Sequence, residues 1–112
     1  MPIEVSPRHF SGREEAMAAV ASDGLRCVEA EISPEQLTAE AHAHPYAVDI
    51  YMLEGKLELY EPHTGRTHRL EPGTKAVVPA QTLHQEHSPA GFRAVVGLSH
   101  EAAALGTMTD AS

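Results

Sequence analysis

His42 and His44 stand one residue apart in the segment Ala41-His42-Ala43-His44-Pro45. On an extended chain, alternate side chains leave the same face, so this spacing sends both imidazoles to one side. Two ring nitrogens aimed at one point are part of what a divalent metal ion needs, each ligand sitting about 2.1 Å from the ion. A third ligand must come from another strand, because the next same-face neighbour is too far along the chain to reach. The segment from Gly73 through Pro79 offers one: a strand, a proline-bearing turn, then His84 at the entry to a further strand. Such a centre would act as a Lewis acid on a carbonyl or enolate oxygen, or, with iron, would activate dioxygen. The plain alternative is a strand with alanines inward and histidines in water, which needs no metal.

Eight of the 112 residues are histidine. Of the other five, His87 lies three past His84 and so falls on the opposite face of a strand. His63 sits in a turn and His68 on an outer strand, both read as solvated, and His9 and His100 lie in the terminal segments.

The elements that must position these residues follow from the surrounding pattern. Residues 1–10, with Pro2 and Pro7, read as an extended arm. Ser11 and Glu14 form a capping-box pattern before the alanine-rich stretch Glu14–Ala21, a short helix that Asp23-Gly24 stops. From Leu25 the rhythm is period two. Val28, Ala30 and Ile32 alternate with Glu29 and Glu31, and Ser33-Pro34 ends the run. The segment from Leu37 to His44 alternates alanine with polar residues and reads as a strand. Ala47–Leu53, Leu57–Tyr60, Lys75–Pro79, Leu83–His87 and Phe92–Leu98 follow as short strands between turns. Short strands at this regular spacing predict an all-β sandwich or barrel. The segment 99–112 reads as a tail that frays after Leu105.

Length and charge narrow the function. A chain of 112 residues makes one domain, here 1–112 with its core at about 25–98. Eight Lys and Arg against sixteen Asp and Glu give a formal charge of −8, which argues against nucleic acid or an anionic membrane as partner. No apolar run is long enough to span a bilayer, and the N-terminal residues lack a signal-peptide layout, so a cytoplasmic location is expected. The single Cys27 closes no internal disulfide, builds no cysteine-based zinc site and reads as a small buried hydrophobe.

With these residues in place, the sequence resembles the cupin superfamily of small jelly-roll barrels. The first motif of that family has two histidines one residue apart, then a carboxylate and a closing glycine, met here by His42, His44 and Gly55. The second runs from a glycine through a proline to a histidine, met at family spacing by Gly73, Pro79 and His84. Gln36, Gln81 and Ser88 stand where the family has glycine, glycine and asparagine. Counting back seven from Gly55 places Val48 where the family has its metal-binding glutamate.

The resemblance implies a double-stranded β-helix with a divalent ion (Fe, Mn, Ni or Zn) on His42, His44 and His84. It implies a small-molecule ligand or substrate, and a homodimer. Three-histidine members include oxygenases, lyases and isomerases, as well as proteins that only bind. Two readings follow: an enzyme acting on a small polar metabolite, or a non-catalytic ligand-binding module.

Further cavity residues are expected by strand parity. Gln36 and Glu40 share the face of His42, and Ile50 and Met52 share that of Val48. Asp49 faces away and becomes a fourth ligand only if a bulge turns it inward. Glu40, Asp49 and Tyr51 are the nearest general-base candidates, although Tyr51 and Tyr60 read first as packing residues. Glu54, Glu58 and Glu61 read as a solvated acidic face.

Overall fold

A computed structural model describes residues 3–37 and 40–99. Eight strands and one α-helix follow in the order β1 (Glu4–Ser6), α1 (Arg13–Ser22), β2 (Arg26–Ile32), β3 (Val48–Gly55), β4 (Leu57–Glu61), β5 (Arg66–Leu70), β6 (Lys75–Val78), β7 (Gln85–His87) and β8 (Phe92–Leu98). They form a five-stranded sheet in the order β1-β6-β3-β8-β2 and a three-stranded sheet in the order β5-β4-β7. All pairings are antiparallel. No helix among the described residues is long and apolar enough to cross a membrane.

The alternation read from the sequence becomes two different environments. Ile50, Met52, Ala76, Val78, Ala94 and Val96 of the larger sheet meet Leu57, Leu59 and Leu70 of the smaller one in a common core. On the other face of the larger sheet, Tyr51 and Val95 pack with Phe10, Ala16 and Val20, so α1 covers that side. Tyr51 is therefore a packing residue, with Phe10 edge-on to its ring at 5.3 Å. Tyr60 is partly exposed.

Three expectations about the N-terminal half change. Residues 3–10 are not a loose arm: β1 pairs with β6, and Ile3 and Phe10 are buried. Their apolar side chains close the two cores, which composition rich in proline did not reveal. The capping box at Ser11 does not form; Gly12 is the N-cap, and the Ser11 hydroxyl donates to Glu15 Oε2 at 2.7 Å. At the other end, Gly24 takes φ 74°, and the Gly24 and Leu25 amides donate to the Ala21 and Val20 carbonyls, the paired bonds of a Schellman stop. Among the described residues 40–47, the strand expected before Pro45 reduces to one isolated bridge at His42. The tail with His100 lies outside the described residues.

Gly55, the closing glycine of the first motif, is required by its surroundings. Its φ is 81°, and an added Cβ would meet the Gly91 carbonyl and lie 2.9 Å from Phe92 Cα. The neighbours are backbone, which cannot swing away as a flexible side chain does. Gly55→Ala is therefore expected to cost about 2–4 kcal/mol, combining left-handed strain with the clash. Urea unfolding measures it, and a loss below about 0.5 kcal/mol would contradict this account.

Candidate metal centre

Two backbone hydrogen bonds join the histidine segments. The His42 amide donates to the His84 carbonyl at 2.8 Å, and the His84 amide donates back to the His42 carbonyl at 2.9 Å. A third bond holds the neighbouring turn: the Gln81 amide donates to the His44 carbonyl at 2.7 Å. Gln81 does this with φ 62°, the left-handed conformation for which the family motif uses glycine. The backbone need at that position persists although the residue type does not.

The clamp brings the three rings together. Ligand nitrogens of His42, His44 and His84 lie within 4.8 Å of one another. Ring centroids are 4.5 Å apart for His42 and His84, 5.2 Å for His42 and His44, and 5.6 Å for His44 and His84. Two rings are also fixed in tautomer by their outer nitrogens. His42 Nδ1 lies 3.2 Å from the Glu40 carbonyl, and His84 Nδ1 lies 2.9 Å from the Thr82 carbonyl. A carbonyl only accepts, so each ring donates its N–H there and leaves Nε2 as a lone pair for a metal. His44 is held instead by stacking on Tyr46, with centroids 5.2 Å apart and planes at 19°. Closing three nitrogens around one ion would bring neighbours to about 3.0–3.4 Å, a short rotation from their present positions. The donor set fits a divalent transition metal.

Burial favours the neutral rings that ligation needs. The pKa of His44 is lowered to about 4, mainly by desolvation and further by His42 and His84. His84 is lowered by the same desolvation, partly offset by its bond to the Thr82 carbonyl.

The cavity beside these rings has a volume of about 40 Å³ and is mostly apolar. His44, His84 and Glu86 are its polar groups, while Val48, Ile50, Leu59, Val78, Phe92 and Val96 form much of its wall. Val48 and Ile50, expected on one face by parity, are both among its lining residues. Met52 does not line this cavity; it is fully buried deeper in the same core. Glu40 is exposed and reaches the site through its main-chain carbonyl. Gln36 is elsewhere: its side-chain oxygen accepts from the Ser33 amide at 2.7 Å, capping a short 3-10 turn at Pro34–Gln36. That turn breaks the strand register on which its expected parity with His42 depended.

Asp49 is turned to the opposite face, where its carboxylate lies 4.0 Å from Lys75 Nζ. β3 runs in regular register with β6 and β8 at this position, so no bulge re-aims it. Burial pushes its pKa up, opposed by Lys75. Asp49 therefore stands apart from the three clustered histidines and from the lining of this cavity.

Glu86 is the site residue that sequence reasoning missed. Its Oε1 lies 3.0 Å from His42 Nε2 and 3.8 Å from His84 Nε2. The signal was available, since Glu86 is two past His84 and shares its face. Desolvation raises the Glu86 pKa, opposed by His42. Glu61 and His68 were also misread as solvated. Glu61 is buried, its Oε1 lies 2.5 Å from His68 Nε2, and its Oε2 accepts from the Ile3 amide at 3.3 Å. Ser88, in place of the family asparagine, is buried and donates to the Lys56 carbonyl at 2.6 Å.

Comparison with known proteins is consistent with this architecture. A family model described as "Cupin domain" matches residues 28–98. The fold is similar to a DUF861 family protein from Thermotoga maritima, with TM-score 0.59 and 15% identity over 87% of this chain and 99% of that one. It is also similar to a protein from Neisseria meningitidis, with TM-score 0.56 and 20% identity over 88% of this chain and 84% of that one. No curated protein matches the chain.

The lowered His44 pKa gives a pH prediction with a definite sign. In the unfolded chain His44 takes its proton near 6.5, and in the metal-free fold only near 4. Its contribution to stability is thus complete above pH 6.5 and declines as the pH falls from there toward 4. At pH 5.5 the His44 ring should remain neutral in side-chain nitrogen NMR spectra of the metal-free protein. A His44 that titrates near 6.5 would show that the ring is solvated.

Proposed function

The chain belongs to the cupin family, and on that premise we propose that it holds one divalent metal ion on His42, His44 and His84 and presents it to a small molecule. The observation that carries this reading is the convergence of three ring nitrogens within 4.8 Å beside an apolar-walled cavity. A bound ion would supply Lewis acidity, or redox chemistry if it is iron. The protein's own groups divide the remaining work. The carbonyls of Glu40 and Thr82 orient two rings. Val48, Ile50, Val78, Phe92 and Val96 exclude water from the apolar part of a ligand and leave its polar end directed at the histidines. The reading assumes the closed double-stranded β-helix of the family.

The proposed ligand is a small polar metabolite with an oxygen donor, and the activity proposed is of dioxygenase, lyase or isomerase type. A second reading, a non-catalytic ligand-binding module, draws support from the cavity wall. Apart from His44 and His84, its titratable side chain is Glu86, so acid–base groups for turnover are few. Iron-loaded protein that consumes oxygen with a diketone-like substrate supports the enzyme. A thermal shift with small ligands and no turnover supports the binder.

Elemental analysis of untagged protein tests the centre itself. The expected result is about one equivalent of Fe, Mn, Ni or Zn per chain, lost in both His42→Ala and His84→Ala. No metal in wild-type protein, and none taken up on reconstitution, would refute the proposal.

We also propose that the protein works in the cytoplasm as a homodimer, since both sheets end in strands paired on one side only. Sedimentation equilibrium at micromolar concentration should return twice the chain mass. A single-chain mass across that range would exclude the dimer.

A further inference from the structure

The carboxylate that the first motif lacks has a counterpart on another strand. Val48, at the family's glutamate position, points its apolar side chain into the cavity wall. Across the cavity, Glu86 on β7 shares that wall and places Oε1 at 3.0 Å from His42 Nε2 and 3.8 Å from His84 Nε2. With the N–H of each ring committed to a main-chain carbonyl, both Nε2 atoms present lone pairs. Glu86 Oε1 and His42 Nε2 lie at hydrogen-bond distance, so in the metal-free protein one proton bridges them. A divalent cation can displace such a proton, because a carboxylate oxygen and two imidazole nitrogens at this spacing are all metal-ligand atoms. We propose that Glu86 is a fourth ligand of the metal ion, its carboxylate supplied by the strand of the second motif and not by that of the first.

This inference rests on the three-histidine reading and deepens it. A carboxylate ligand reduces the net charge of the centre by one, which makes the ion a milder Lewis acid than three neutral histidines would leave. It also gives the half-buried Glu86 carboxylate a role on an otherwise apolar wall.

Cobalt(II) is a suitable probe, because its visible absorption bands respond to the number and type of its ligands. Wild-type protein, Glu86→Gln and Asp49→Asn would each be loaded with cobalt(II) and titrated against a competing chelator. Loss of an outer-shell partner typically costs 10–100-fold in metal affinity, so loss of a direct ligand in Glu86→Gln is expected to exceed about 100-fold. The absorption bands should shift in position and intensity. Asp49→Asn, altered on the opposite face, should leave both affinity and spectrum unchanged.

If circular dichroism shows that Glu86→Gln does not fold, Glu86→Asp replaces it. That variant withdraws the carboxylate by one methylene and should shift the bands in the same experiment. An unchanged cobalt spectrum in the folded Glu86 variant would overturn the fourth-ligand inference while leaving the three-histidine centre intact. Wild-type protein that takes up no cobalt would overturn both.

Discussion

The site depends on the pair of backbone hydrogen bonds that His42 and His84 exchange. These residues are far apart in sequence, and the bridge is an isolated one outside the regular ladders. It nonetheless fixes the separation of two ring-bearing Cα atoms, and the adjacent bond from the Gln81 amide to the His44 carbonyl carries the third ring into place. The carbonyls that hold two of the rings, those of Glu40 and Thr82, each lie two residues before the histidine they orient. Positioning and tautomer are thus both main-chain effects. A side-chain change at Glu40 or Gln81 can leave the clamp in place.

The larger sheet serves two environments at once. Its inner face lines the core and the cavity, and its outer face packs under α1 with Asp49 and Lys75 set among apolar neighbours. Strict alternation along β3 separates Val48 and Ile50 from Asp49 and Tyr51, which is why the carboxylate one position away from the family's glutamate faces away from the three histidines. The smaller sheet does the reverse: its inner face carries buried polar groups. Leu57, Leu59 and Glu61 all point inward from β4, and Glu61 is accommodated by His68 and the Ile3 amide. Glu86 enters beside the histidines from β7, which pairs with the other edge of β4. Buried acids in this sheet are each set against an imidazole, in keeping with the high cost of an unpaired buried charge.

Much of the strand pattern was legible because one face of each strand is apolar and the other is not. β8 occupies the residues expected of it, and β3, β4 and β6 differ from expectation only at their ends. The spacing from Gly73 through Pro79 to His84 pointed to a turn that returns the chain to the first motif, and the backbone at Gln81 keeps the left-handed geometry of that turn. Less legible were β1, too short and too proline-flanked to show a period, and the buried partners Glu61 and His68. Their residue types suggest solvent, whereas their parity with Leu57, Leu59 and Leu70 places them inside.

The sequence by itself determined the strand rhythm, the resemblance to the cupins and the three histidines, since each is a matter of residue type at fixed local spacing. Tertiary structure decided which carboxylate lies beside them. Asp49 and Glu86 are both acids close in sequence to a histidine of interest, and parity sets Glu86 on the face of His84 without fixing how near it comes to the rings. Sheet register turns Asp49 toward Lys75 beneath the helix, and the pairing of β7 with β4 turns Glu86 toward His42. The physical reason is that a strand's faces are fixed locally, but which face meets the cavity is set only when the two sheets pack.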